Sequence, residues 1–113
     1  MSDASIEAFC QRFHEAVELI GRRWTGAILR ALFFGTERFS DFAAVVSGMS
    51  DRLLSERLKE LEAEGIVVRT VIPVTPVRIE YRLTAKGLAL RPVVDALAAW
   101  AEQWLPLPSE PAR

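Results

Sequence analysis

The sequence holds one cysteine and one histidine in 113 residues. A lone cysteine excludes an intrachain disulfide framework. With a single histidine beside it, too few ligands remain for a zinc or iron–sulfur site within one chain, so no metal and no cofactor is expected. Long apolar runs are also missing, and nothing approaches the roughly 18 to 20 residues that a bilayer-spanning helix needs. The opening Met1-Ser2-Asp3-Ala4-Ser5 lacks the basic start and apolar stretch of a signal peptide. A cytoplasmic chain with no membrane partner is the expectation. Charge of one sign is absent too: 14 basic residues stand against 15 acidic ones, for a net charge of −1. A non-specific nucleic-acid binder is far more basic, so a DNA reader built on this chain must rely on a shaped element and a local basic footprint. There is no Gly-rich phosphate loop, no paired-carboxylate cleft that spacing locates and no Ser/His/Asp set in recognisable context. An enzyme is not expected.

What is present is half hydrophobic and 26% charged, the balance of a globular domain with one modest core. One domain is read over residues 1–105, followed by a proline-rich tail at 106–113 that is expected to be disordered. Phe9, Phe13, Val17 and Ile20 recur at helical spacing and predict an amphipathic first helix, interrupted by Gly21. A second helix is predicted from about Arg22 to Phe34, with Trp24, Ile28, Leu29, Leu32 and Phe33 apolar and Gly35 as its C′ residue. A short helix over Phe39 to Val46 carries a stripe of Phe39, Phe42, Ala43 and Val46. Ser47-Gly48-Met49 then makes a tight turn, and Ser50 is a good N-cap for a helix that places Leu54, Leu58 and Leu61 on one side and stops before Gly65. Short helix, glycine-bearing turn and second helix form a helix-turn-helix pattern.

Two β-rich runs follow, Ile66 to Ile72 and Val77 to Leu83, the second alternating apolar and polar without a miss. Pro73 and Pro76 suit a hairpin tip between them. Pairing Ile72 with Val77 sets Val68 opposite Tyr81 and Ile66 opposite Leu83. One face is then almost wholly apolar, and Arg69 faces Glu80 on the other, so this register is expected over a one-residue slip. Thr84 can cap a last helix whose stripe is Leu88, Val93, Leu97, Trp100 and Trp104. Pro92 either kinks that helix or marks where its long part begins. The expected fold is mainly α with one small β-hairpin: a winged helix-turn-helix with additional N- and C-terminal helices.

The segments Glu18-Leu19-Ile20-Gly21-Arg22-Arg23-Trp24, Arg38-Phe39-Ser40-Asp41-Phe42, Ser50 to Glu62 and Val77 to Thr84 resemble the HxlR-type winged-helix regulators. Taken together they are specific to that family, and they span nearly all the ordered chain. The resemblance implies a dimeric DNA-binding transcriptional regulator whose terminal helices form the dimer interface. Some members sense oxidants or electrophiles through a cysteine followed by proline ahead of the Gly-x-x-Trp segment. Here Cys10 lies near that position, but Gln11 stands where proline is usual.

On the helix that follows the turn, Arg52 and Ser55 are the candidate base contacts. Arginine donates two hydrogen bonds to guanine, and serine is a short donor and acceptor. Ser50 can offer its backbone N–H to a phosphate while its hydroxyl caps the helix. Arg57 and Lys59 are read as phosphate contacts. In the wing, Arg78 and Thr75 are candidates for minor-groove or phosphate contact, and Arg38 and Ser40 join them from the start of the first motif helix. A solvated helix face is the competing reading for the polar residues. Arg69 is expected to be held by Glu80.

Phe9, Phe13, Leu97, Trp100 and Trp104 are read as core and dimer interface, with an aromatic ligand box as the alternative for the aromatic members. A two-fold dimer would read a palindromic operator in double-stranded DNA. Cys10 is either a small buried hydrophobe or an accessible thiol that senses oxidants. His14, without a metal partner or nucleophile nearby, is read as structural or solvated. The alternative function is a winged-helix protein–protein adaptor, kept open by the near-neutral charge. No small-molecule effector is legible.

Overall fold

The computed structural model describes residues 3–108, so most of the tail expected to be disordered lies outside the described residues. Six helices and one hairpin are described: α1 (Asp3–Ile20), α2 (Thr25–Phe33), α3 (Phe39–Val45), α4 (Asp51–Ala63), β1 (Val67–Ile72), β2 (Arg78–Leu83), α5 (Ala85–Leu88) and α6 (Arg91–Trp104). α3, the turn at Gly48 and α4 form the helix-turn-helix, and β1–β2 is the wing. No described helix is long and apolar enough to cross a membrane.

Local signals end the helices where the sequence places them. At α2, the Gly35 N–H donates to the Leu32 carbonyl and the Thr36 N–H to Ala31, with Gly35 at φ +99. At α4, Gly65 donates to Glu62 and Ile66 to Leu61, with Gly65 at φ +75. Both are the paired closure that a left-handed C′ residue permits. Ser50 Oγ accepts from the Leu53 N–H at 3.1 Å, and Thr84 Oγ1 accepts from Gly87 N–H at 3.1 Å. Each satisfies one of the donors a helix start leaves unpaired. Pro92 sits in the first turn of α6, where its missing N–H costs nothing. It begins that helix rather than kinking it.

The core gathers Ile28, Leu29 and Leu32 of α2, Phe42 of α3, Leu54, Leu58 and Leu61 of α4, Ile66 and Val67 at the hairpin's base, Tyr81 and Val94. The ring of Tyr81 meets Phe42 edge-on, with centroids 6.5 Å apart, a favourable aromatic geometry. Ala43, expected in the buried stripe of α3, is exposed. On α6 the inward residue is Val94, while the stripe read from the sequence points away from the core.

The hairpin register differs from expectation by one residue. Val67 pairs with Leu83, Arg69 with Tyr81, Val71 with Ile79 and Ile72 with Arg78. Val77 therefore falls in the connection instead of in β2. The deciding contacts lie at the hairpin's base. Thr84 N–H donates to the Ile66 carbonyl at 3.0 Å, and Thr84 Oγ1 donates to Gly65 O at 2.5 Å. Gly87 approaches Ile66 so closely that any Cβ there would overlap the Ile66 carbonyl. These joints outweigh the cross-strand apolar matching that favours the other register. The slip separates Arg69 from Glu80. Glu80 lies instead between Arg78 and Arg82, at 3.7 and 3.9 Å. The segment before α3 covers it there: Tyr81 N–H donates to Glu37 O at 2.7 Å, and Arg38 bridges to Glu80.

Candidate nucleic-acid interface

The leucine stripe of α4 faces the core, so its opposite side is turned outward: Asp51, Arg52, Glu56 and Lys59 are exposed, and Ser55 is half-buried. Arg52 has a side chain 90% exposed and only a loose pairing with Glu56, at 3.4 Å. Such an exposed i, i+4 pair is worth a few tenths of a kcal/mol, roughly 0.3–0.5, so the guanidinium is only loosely held. Ser50 spends its hydroxyl on the cap, as described.

Beside this helix the wing forms two recesses. One brings together Arg38, Phe39 and Ser40 from the start of α3 with Thr75, Pro76 and Arg78 from the wing. Four residues singled out from sequence, far apart along the chain, thus share one surface. The Glu37 and Arg38 backbone contacts to β2 are what bring them there. The second recess lies between α4 and the hairpin and is lined by Ser55, Lys59, Glu62, Arg69 and Tyr81 among others.

Arg57 does not join either recess. Its side chain is 15% exposed. Nε donates to the Arg23 carbonyl at 3.0 Å, and Nη1 donates to Glu60 at 3.0 Å. Read from the sequence as a phosphate contact, this guanidinium is turned inward in the fold and holds α4 against the α1–α2 junction. Arg22 joins the same Glu60 at 2.5 Å. At that junction Trp24 adopts φ +76, a region unusual for a bulky side chain, and its ring lies over Gly48 in the helix-turn-helix turn. Apart from the Arg57–Glu60 pair within α4, these ties join residues more than twenty positions apart, and periodicity alone signals none of them.

The residues expected at a dimer interface are not core residues of the chain. Phe9 and Trp104 are 67% and 64% exposed, and Phe13, Leu97 and Trp100 are similarly open. Ile6 and Val17 extend the stripe on α1, and Val93 extends that on α6. Phe9 and Phe13 stack with centroids 6.3 Å apart. Cys10 lies on the same helix and is exposed, so it is not a buried hydrophobe of the chain. His14 is exposed and pairs with Glu18 at 3.0 Å. Among the described residues no cluster of His, Cys, Asp or Glu is suited to a metal ion.

Comparison with known proteins agrees with this geometry. The family model described as HxlR-like helix-turn-helix matches residues 19–109. The HTH-type transcriptional regulator YvaP of Bacillus subtilis is 51% identical over 96 residues, covering 85% of this chain and 89% of that protein. The reduced form of the transcriptional regulator YodB from Bacillus subtilis superposes with a TM-score of 0.73 at 42% identity, over 83% of this chain and 92% of that one. The redox regulator HypR in its oxidized form superposes with a TM-score of 0.78 at 32% identity, over 85% and 99%. A winged helix-turn-helix with this sequence and this fold belongs to the HxlR-like helix-turn-helix family of DNA-binding transcriptional regulators.

Proposed function

We propose that the protein acts in the cytoplasm as a homodimer that reads a palindromic operator in double-stranded DNA, by binding and without turning over a substrate. The observation that carries this reading is the pair of exposed aromatic stripes, on α1 and α6, attached to a winged helix-turn-helix. Phe9, Phe13, Leu97, Trp100 and Trp104 are each more than half exposed, and large apolar side chains gathered in exposed stripes mark an interaction surface. A second copy is the occupant that symmetry supplies at least cost. In the dimer two α4 helices face successive major grooves, about one helical turn apart. Arg52 and Ser55 face base edges; Ser50, Lys59, Arg38, Ser40 and Thr75 meet phosphates, and Arg78 reaches the minor groove or its backbone. An unbiased selection of duplexes by the purified protein tests this. A two-fold symmetric consensus is the expected result; a dimer that enriches no sequence would sink the reading and favour a protein-docking adaptor.

A thiol response at Cys10 deepens this reading. It is supported by the exposure of Cys10 on α1, the helix that carries Phe9 and Phe13, and by the redox regulator HypR among similar folds. With one cysteine per chain, two routes balance. Two Cys10 thiols of a dimer lose two protons and two electrons to a peroxide, which leaves as water, and a disulfide joins the subunits. Alternatively, the Sγ adds to a quinone carbon and a proton passes to the ring oxygen. Mass spectrometry of peroxide- or quinone-treated protein, alongside operator binding, decides between sensing and bystander chemistry. Modification that leaves binding unchanged rules sensing out.

A further inference from the structure

The hairpin register turns Arg69 away from Glu80 and toward α4. It stands opposite Tyr81, on the face shared with Val67 and Val71, and lines the recess between α4 and the hairpin together with Ser55, Lys59 and Glu62. The basic side chains of α4 and the hairpin divide sharply by partner. Arg52 pairs with Glu56, Arg57 with Glu60, Arg78 with Glu80, and Arg82 with Glu37 and Glu80. Among the described residues, Lys59 and Arg69 are the two of that set that form no ion pair, and both line this one recess. Two unneutralised cations converging from separate elements leave a local field suited to one anionic group. Glu62 lies in the same recess and opposes it, so the recess suits a single phosphate rather than a highly charged ligand.

We infer that the recess between α4 and the hairpin seats a DNA backbone phosphate, with Arg69 as a contact alongside Lys59. This rests on the DNA-reading function proposed above and adds a residue to it. With α4 in the major groove, the strand bordering that groove passes between the helix and the wing, where the recess opens. Arg69 carries its charge at the end of a long stem that can rest beside Tyr81 while the head reaches the phosphate. Its contribution is electrostatic, independent of base sequence and sensitive to salt.

The test measures binding of wild type, Arg69→Gln and Arg69→Lys to the selected operator and to an unrelated duplex across a salt series. Arg69→Gln keeps the stem and removes the charge, and thermal unfolding checks that it folds. The expected result is a several-fold loss of affinity at low salt on both duplexes, with a log–log salt slope shallower by about 1.8, roughly 0.9 for each of the dimer's two contacts. Arg69→Lys keeps the wild-type slope. A neutral methylphosphonate placed at successive operator positions should weaken wild type at one position per half-site, and there weaken Arg69→Gln, which keeps only Lys59, by a smaller factor. A folded Arg69→Gln with wild-type affinity and slope overturns the inference. A wild type that does not distinguish the two duplexes would instead refute operator reading, and the slope difference would still decide the role of Arg69.

Discussion

Arg57 donates its Nε–H to the main-chain carbonyl of Arg23 at 3.0 Å, tying the middle of α4 to the junction between α1 and α2. Glu60, one turn further along α4, accepts from both Arg57 and Arg22. The neighbouring residue, Trp24, covers Gly48 in the turn before α4. One short segment, Arg22 to Trp24, therefore braces α4 and the turn that leads into it. The helix that carries Cys10 runs directly into that segment.

Arg57→Ala should accordingly weaken operator binding by changing the pose of α4 while leaving the salt slope unchanged. Losing charge-assisted hydrogen bonds at a nearly buried site should also lower stability by about 1–3 kcal/mol. Denaturant unfolding and a salt series check both effects. A slope reduced by about two units, one for each subunit, would mean that Arg57 reaches a phosphate.

Arg52 and Lys59 share the outward face of α4 but should fail differently. Arg52→Ala removes a bidentate donor and should relax discrimination at one base pair of each half-site by about 1–3 kcal/mol. Lys59→Ala should weaken all sequences alike and flatten the salt dependence. Binding to a panel of single-base operator variants at two salt concentrations separates the two patterns.

Trp100→Asp places a charge in the middle of the exposed α6 stripe. Sedimentation should show a folded monomer, and operator affinity should fall by orders of magnitude as the two half-sites lose their linkage. A Trp100→Asp protein that remains a dimer would remove α6 from the interface.

Gly87→Ala tests the joint that sets the wing. The added methyl overlaps the Ile66 carbonyl, so α5 or the base of the hairpin must shift, at a cost of about 1–3 kcal/mol. Calorimetry should show a lower Tm, and operator affinity should fall because the wing tip moves with its base. Gly26→Ala, which meets nothing within 4 Å, is the control.

The sequence by itself determined the helices, their ends and the motif they form. Leu54, Leu58 and Leu61 repeat at helical spacing, and the helix-start caps of Ser50 and Thr84 and the helix-end closures at Gly35 and Gly65 are made by hydrogen bonds spanning at most five positions. Interactions that short are written in the local pattern. Tertiary structure decided what depends on distant partners. The wing register follows from Gly87 against Ile66 and from Thr84 on the Gly65 and Ile66 carbonyls, and cross-strand pairing within the hairpin carries no trace of them. The inward turn of Arg57 needs a carbonyl 34 residues earlier. Val94 rather than Val93 enters the core because the packing of α6 against α2 selects one of two apolar stripes. Periodicity states that a face is apolar; the neighbour that covers it is a property of the fold.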